Sequence, residues 1–281
     1  MRNPNVPETL DGWAILHRMF RFERRRFDQL DAGRREAIAR ETIAFLEPLH
    51  VSEEADVSLA QMLGHKCDVM LTHYARAWDE LAAVQMRFDK TELAEYLLPT
   101  TSYVSILELG LYDASAKIHA ELQTRALKPY SSEWNAAFDT LLSVQESEPR
   151  NAARLWAKVP PRRYVCFYPM DKKRGESVNW YMLAYADRAR LMLDHGKIGR
   201  SFHGLVTQVI SGSIGFDDFE WGVDLYADDP MVFKKLIAEM RFDEASAKYA
   251  EFGPFYTGVQ FSISELPVFL GGARVPELVK S

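Results

Sequence analysis

Tyr164-Val165-Cys166-Phe167-Tyr168-Pro169-Met170-Asp171-Lys172-Lys173-Arg174 reads as a buried strand that runs into a basic loop. Downstream, Leu191-Met192-Leu193-Asp194-His195-Gly196-Lys197-Ile198-Gly199-Arg200 falls in a helical stretch and sets one histidine beside two glycines. The order that these segments begin decides the fold. A helix is predicted over 185–202, then strands over 205–211 and 219–226. Asp229-Pro230 opens a second helix, with aspartate as N-cap and proline in the first turn, and the helix is expected to run to about Tyr249. A strand over 255–261 closes the series, so the order is β-α-β-β-α-β.

The N-terminal half reads in the same order. A strand over 12–20 is followed by an amphipathic helix over 34–46, with Ile38, Ile43, Phe45 and Leu46 among charged residues. Strands over 59–64 and 67–74 flank a turn at Gly64-His65-Lys66. A long helix over 78–98 is ended by Pro99, and a strand follows over 102–109. Met86-Arg87-Phe88-Asp89 and Met240-Arg241-Phe242-Asp243 occupy the same ordinal place in the two halves, which supports a duplication. The expected class is α+β, with two ferredoxin-like βαββαβ units over 1–111 and 161–281. Their bare sheet faces have to be buried, either against each other or in an oligomer. Between them, 112–160 reads as an inserted, partly mobile connector with helical stretches over 114–122 and 133–142. Residues 1–9 read as a flexible lead and 271–281 as a tail.

The chain has 281 residues, 47% of them hydrophobic and 26% charged, enough for a sizeable core. A net charge of −6 gives no general reason to expect nucleic acid or an anionic membrane, so an anionic ligand must be met by local cations. Cys67 and Cys166 each sit in an apolar run and read as reduced core residues. No secretory h-region and no membrane-length apolar run is visible, and a cytoplasmic location is expected.

Several side chains stand out near the opening stretch. His195 has two readings. One is a satisfied core or surface histidine; the other is a metal ligand on a helix whose Gly196 and Gly199 let a flat group approach. Two glycines within a turn cost on the order of 1 kcal/mol each, and tight helix-on-sheet packing explains them equally well. Tyr168 shares a strand face with Tyr164 and Cys166. It is a core tyrosine or, with Pro169 ending regular pairing, a phenol at a cleft mouth able to relay one electron. Lys172, Lys173 and Arg174 form a solvated loop or a carboxylate grip, which Arg154 is placed to join. Gln208, within an apolar strand, faces solvent or a distal pocket. A strand tyrosine, a cation cluster and a helix histidine suit an iron porphyrin with carboxylate arms. The remaining histidines lack ligand spacing, and no P-loop, dinucleotide fingerprint, Ser-His-Asp set or HExxH is present.

At these residues the chain resembles the chlorite dismutase-like superfamily and, within it, the coproheme decarboxylases. The matching segments are Gly12-Trp13 with Leu16-His17, Gly64-His65-Lys66-Cys67-Asp68, 164–172, Asn179-Trp180-Tyr181-Met182-Leu183, His195-Gly196 through Gly199-Arg200, Gln208-Val209-Ile210-Ser211-Gly212, and 239–255. The resemblance implies a dimeric α+β barrel, a homopentamer, and a porphyrin bound only by the C-terminal unit. It implies His195 as proximal iron ligand and Tyr168 as the redox-active tyrosine. Arg154, Lys172 and Ser246 would bind propionates, Met170 would lie near the reacting propionate, and Gln208 would be the distal residue. The implied reaction is decarboxylation of iron coproporphyrin III by hydrogen peroxide to give haem b. Chlorite dismutases carry an arginine at the distal position, so Gln208 speaks against chlorite chemistry. A haem b enzyme of the same fold and a non-catalytic haem carrier remain the alternatives.

Overall fold

The computed structural model of the chain describes residues 5–279. Its strands are β1 (Thr9–Phe22), β2 (Ala55–Met62), β3 (Val69–Ala75), β4 (Leu97–Gly110), β5 (Tyr164–Lys172), β6 (Val206–Gly212), β7 (Trp221–Ala227), β8 (Ala250–Phe252) and β9 (Tyr256–Phe261). Its helices are α1 (Arg24–Phe27), α2 (Ala32–His50), α3 (Trp78–Phe88), α4 (Tyr112–Thr124), α5 (Ser132–Ser147), α6 (Pro149–Leu155), α7 (Tyr185–Ser201), α8 (Met231–Met240), α9 (Glu244–Ala247) and α10 (Leu266–Gly271).

The strand order is β7-β6-β4-β1-β3-β2-β9-β5-β8, and β7 also pairs with β5. Eight strands therefore close on themselves as an antiparallel barrel, with β8 attached to β5. The two halves meet at two seams. Leu59↔Phe261 and Ala60↔Gln260 belong to β2 and β9; Ile106↔Gly212 and Leu107↔Ser211 belong to β4 and β6. Closure buries the two inner faces against each other, so the bare faces find their cover within one chain. The two-residue strand period sorts side chains between inside and outside. Trp13, Ile15, Met19, Val165, Phe167 and Tyr226 share the inner cluster. Phe20 and Phe22 pack outside with Ile38 and Leu46 of α2, and Cys166 and Tyr168 pack outside with Val232, Phe233 and Leu236 of α8.

Three element ends differ from the sequence expectation. The helix predicted over 78–98 stops at Phe88, a 3-10 turn spans Glu92–Tyr96, and β4 already begins at Leu97. Pro99 thus lies inside a strand, at the irregularity where β1 shifts register between Met19 and Phe20. Its missing N–H is tolerated there because β6 pairs with β4 only at Ile106 and Leu107. Pro169 does not end pairing either: β5 stays in register with β7 through Met170. On its other edge β9 leaves at Phe167 and β8 joins at Met170, so the proline falls in the gap between them. Finally, the helix expected to reach Tyr249 ends at Met240, and Asp243 starts the separate one-turn α9.

The connector is packed rather than loose. Ile118, Leu122, Trp134, Phe138, Leu142 and Leu155 from α4, α5 and α6 join the inner cluster alongside Leu10, Trp13 and Leu107. Gly12 is needed at this contact, since a side chain there would strike the Leu155 carbonyl. The Trp13 indole donates to the Ala157 carbonyl at 3.0 Å. The lead is also tied down from Asn5 onward: Arg188 donates to the Asn5 carbonyl, and the Glu8 amide donates to Ser115 Oγ at 3.0 Å. Residues 1–4 of the predicted lead and 280–281 of the tail lie outside the described residues. Among the described residues no helix is long and apolar enough to cross a membrane. Cys67 and Cys166 are both free thiols and buried.

Candidate functional site

His195 sits on α7, its side chain a quarter exposed. Its Nδ1 lies 3.1 Å from Asp243 Oδ2 and 3.3 Å from Ser246 Oγ. The other Asp243 oxygen accepts from the Ser246 amide at 3.0 Å, capping α9. An almost fully buried carboxylate beside Nδ1 favours the tautomer that carries its proton there. Nε2 then keeps its lone pair and has no partner among the described residues, the arrangement in which a second carboxylate shell fixes a metal-binding imidazole.

Lys172, at the end of β5, is buried. Its Nζ donates to the Ala245 carbonyl at 3.2 Å and stands 4.5 Å from the Trp180 ring centroid. Burial pushes its pKa down to about 8, against the pull of Asp243 and Glu220. No carboxylate comes within ion-pair distance of it among the described residues. The rest of the predicted basic loop behaves differently: Arg174 turns outward, 4.0 Å from Asp171 and 3.7 Å from Glu220.

Tyr168 lies on the same outward strand face as Lys172 and is 3% exposed. Its ring stacks on Phe255 at 4.7 Å and is 5.6 Å from Phe252. Burial holds its phenol well above the usual tyrosine pKa, and its hydroxyl has no hydrogen-bond partner among the described residues. Met170 packs onto the same cluster, which Ile198 and Phe202 join from the region of α7. Gln208, on β6, reaches the Gly199 carbonyl with its amide at 3.5 Å. A Cβ on Gly199 would come 3.3 Å from that amide nitrogen and 3.8 Å from Met240 Cε, so this glycine marks a close helix-to-sheet approach. Gly196 has no such role; a Cβ there would meet only the Arg200 guanidinium.

The fold therefore gathers most of the residues singled out in the sequence. His195, Lys172 and Ser246 converge on 243–246, Tyr168 and Met170 share one cluster, and Gln208 abuts the turn of α7 after His195. Arg154 stands apart. It is exposed on α6, its pKa is lowered by partial burial and by Arg150, and it bonds to none of the others. Two residues had no assigned role in the sequence reading: Asp243, which orients His195, and Trp180, which lies under Lys172. Asp243-Glu244-Ala245-Ser246 carries a helix-cap signal, but a cap does not announce a histidine partner.

This donor set fits an iron porphyrin bearing carboxylates. An imidazole offers an open Nε2, a buried ammonium lacks a counter-ion, and a phenol has its hydroxyl uncommitted.

Residues 35–261 match the protein-family model described as chlorite dismutase. The chain is 40% identical over 258 residues, 91% of its length and 94% of the relative's, to the coproheme decarboxylase of Staphylococcus saprophyticus. It is similar to the solved structure of a heme-binding protein from Thermus thermophilus, with a TM-score of 0.81 and 35% identity, covering 96% of this chain and 100% of that one. A mutant chlorite dismutase from Candidatus Nitrospira defluvii shares the fold at a TM-score of 0.69 and 17% identity, over 93% of this chain and 96% of that one.

Proposed function

The chain belongs to the chlorite dismutase family, and from that premise we propose that it is a coproheme decarboxylase, converting iron coproporphyrin III to haem b with hydrogen peroxide. The observation that carries this reading is the outward face of β5, where Tyr168 holds an uncommitted phenol and Lys172 an unpaired, buried cation. A haem carrier has no use for an uncommitted tyrosine on the same strand face as a carboxylate-seeking lysine.

In this reading His195 would hold the iron through Nε2, with Asp243 fixing the ring, and Gln208 would be the residue that meets peroxide. Lys172 and Ser246 hold propionates, Met170 lies beside the reacting one, and Arg154 reaches another from α6. The iron supplies peroxide reduction when the porphyrin is bound. Each propionate loses a β-hydrogen and its carboxylate as CO₂; the electron pair released, with one further proton, reduces one peroxide to two waters and leaves a vinyl group. Tyr168 is the relay that removes the β-hydrogen, so its task is placement and one-electron transfer. The neutral Gln208 amide matches the decarboxylases rather than the arginine of chlorite-degrading relatives. The C-terminal unit, 161–281, contributes all of these residues except Arg154. The resemblance also implies a homopentamer, and the expected location is cytoplasmic.

Peroxide titration of protein loaded with iron coproporphyrin III, followed by mass spectrometry of the porphyrin, tests this. Stepwise loss of two carboxyl groups is expected, and Tyr168→Phe should abolish it while porphyrin binding persists. Bleaching without decarboxylation in the unaltered protein would overturn the reading in favour of a haem carrier or another haem enzyme.

A further inference from the structure

The repeated tetrapeptide is used in two different ways. In the first half, Phe88 is the last residue of α3, is buried, and packs near Phe20 and Phe45. Asp89 pairs with Arg18 at 2.6 Å, and Met86 is exposed. That copy finishes a helix and anchors it to β1. In the second half α8 ends two positions earlier in the motif, at Met240. Met240 is buried and its methyl faces Gly199, while Phe242 is turned to solvent, 91% exposed. Asp243 is thereby brought to His195. Arg241 is brought 4.0 Å from the ring centroid of Phe252, which is itself 5.6 Å from Tyr168. Arg241 has no ion pair among the described residues, and its charge pulls the Tyr168 phenol pKa down against burial.

We infer that Arg241 binds the porphyrin carboxylate presented to Tyr168, so that the turn over 240–243 sets both sides of the site, one residue facing the tyrosine and another orienting the histidine. This rests on the proposed function and deepens it. An exposed arginine stacked on a ring is often only solvated. Here the guanidinium lies on the tyrosine side of a site that must hold a carboxylate until it leaves as CO₂. The cation then recognises substrate and loses its partner in product, which separates the two porphyrins by charge. Lys172 stands on the histidine side, against the Ala245 carbonyl and the Trp180 ring, so the carboxylate on the tyrosine side is left to Arg241.

The test uses metal-free porphyrins, which remove iron ligation and turnover from the readout. Quenching of tryptophan fluorescence would give affinities for coproporphyrin III, with four carboxylates, and protoporphyrin IX, with vinyl groups at the two reacted positions. Arg241→Gln should weaken coproporphyrin binding by about tenfold, the scale of one charge-assisted contact, and leave protoporphyrin binding nearly unchanged. Arg241→Lys should recover part of the loss. Equal losses for both porphyrins, as a structural role or a damaged fold would give, or no loss at all, would overturn the assignment. If the unaltered protein binds neither porphyrin, the proposed function fails as well, a result that needs no variant to detect.

Discussion

Lys172 shows how a single residue reports the ligand it waits for. The fold disfavours its charged form, lowering its pKa from 10.5 to about 8. Between those values the unfolded chain binds more protons than the folded one, so stability of the ligand-free protein rises with pH across that window. The cost of the buried charge is present in full below it, on the order of 3 kcal/mol at most. Lys172→Met should therefore stabilise the ligand-free protein at neutral pH, read as a higher urea midpoint. A bound carboxylate reverses the preference and favours the ammonium. Coproporphyrin affinity should be flat below about pH 8 and weaken as pH rises past it, and Lys172→Met should weaken binding and remove that slope. A slope that survives in the variant would sink the assignment. His195 and Tyr168 were singled out in the sequence by local oddities, two glycines in a helix and a proline in a strand, while their roles come from the family resemblance. Asp243 was not, because its partner is 48 residues away and nothing local to it encodes the meeting.

Among the elements, α7 carries the sharpest contrast. Its two glycines look equivalent in the sequence, each at the same propensity cost, yet only Gly199 faces another element. Gly196→Ala places its methyl against a flexible guanidinium of the same helix, so it should stabilise the ligand-free protein by roughly 0.5–1 kcal/mol. Gly199→Leu crowds the Gln208 amide and the Met240 methyl where α7 meets β6, so it should lower stability and weaken porphyrin binding. Urea unfolding and fluorescence quenching measured on both variants separate the two roles; equal behaviour of the pair would refute them. The ends of elements were the least legible part of the chain. The helices before β4 and before β8 stop short of the sequence expectation: 78–98 and 229–249 keep apolar residues at helical spacing, while the true stops depend on where strand pairing recruits Leu97 and Ala250. Pro99 and Pro169 look like terminators because local sequence does not show that each falls beside an unpaired stretch of sheet edge.

For the whole molecule, the duplicated order of elements is plain in the residues themselves, and the joining of both sheets into one barrel follows from the family resemblance rather than from local patterning. The seams between β2 and β9 and between β4 and β6 pair residues on opposite sides of the connector, and no local periodicity specifies such pairs. The same closure puts His17 of β1 against Asp224 of β7 across the barrel interior. His17 Nε2 lies 3.1 Å from both carboxylate oxygens, and both side chains are fully buried. The interior around them is sparing with partners: His17 Nδ1, Thr72 Oγ1 and Ser105 Oγ have none among the described residues. Removing one member of such a pair strands the other, whereas removing both does not. Asp224→Ala should therefore cost about 3–5 kcal/mol, and His17→Leu combined with Asp224→Leu clearly less than that single change. Because the pair spans the two halves, both should unfold together: urea transitions followed at Trp13 in the first half and at Trp180 and Trp221 in the second, each as the sole remaining tryptophan, should coincide. If one half loses its signal ahead of the other, the barrel is two stable units leaning on each other, and the buried pair is a local contact rather than the tie that makes the chain one cooperative body.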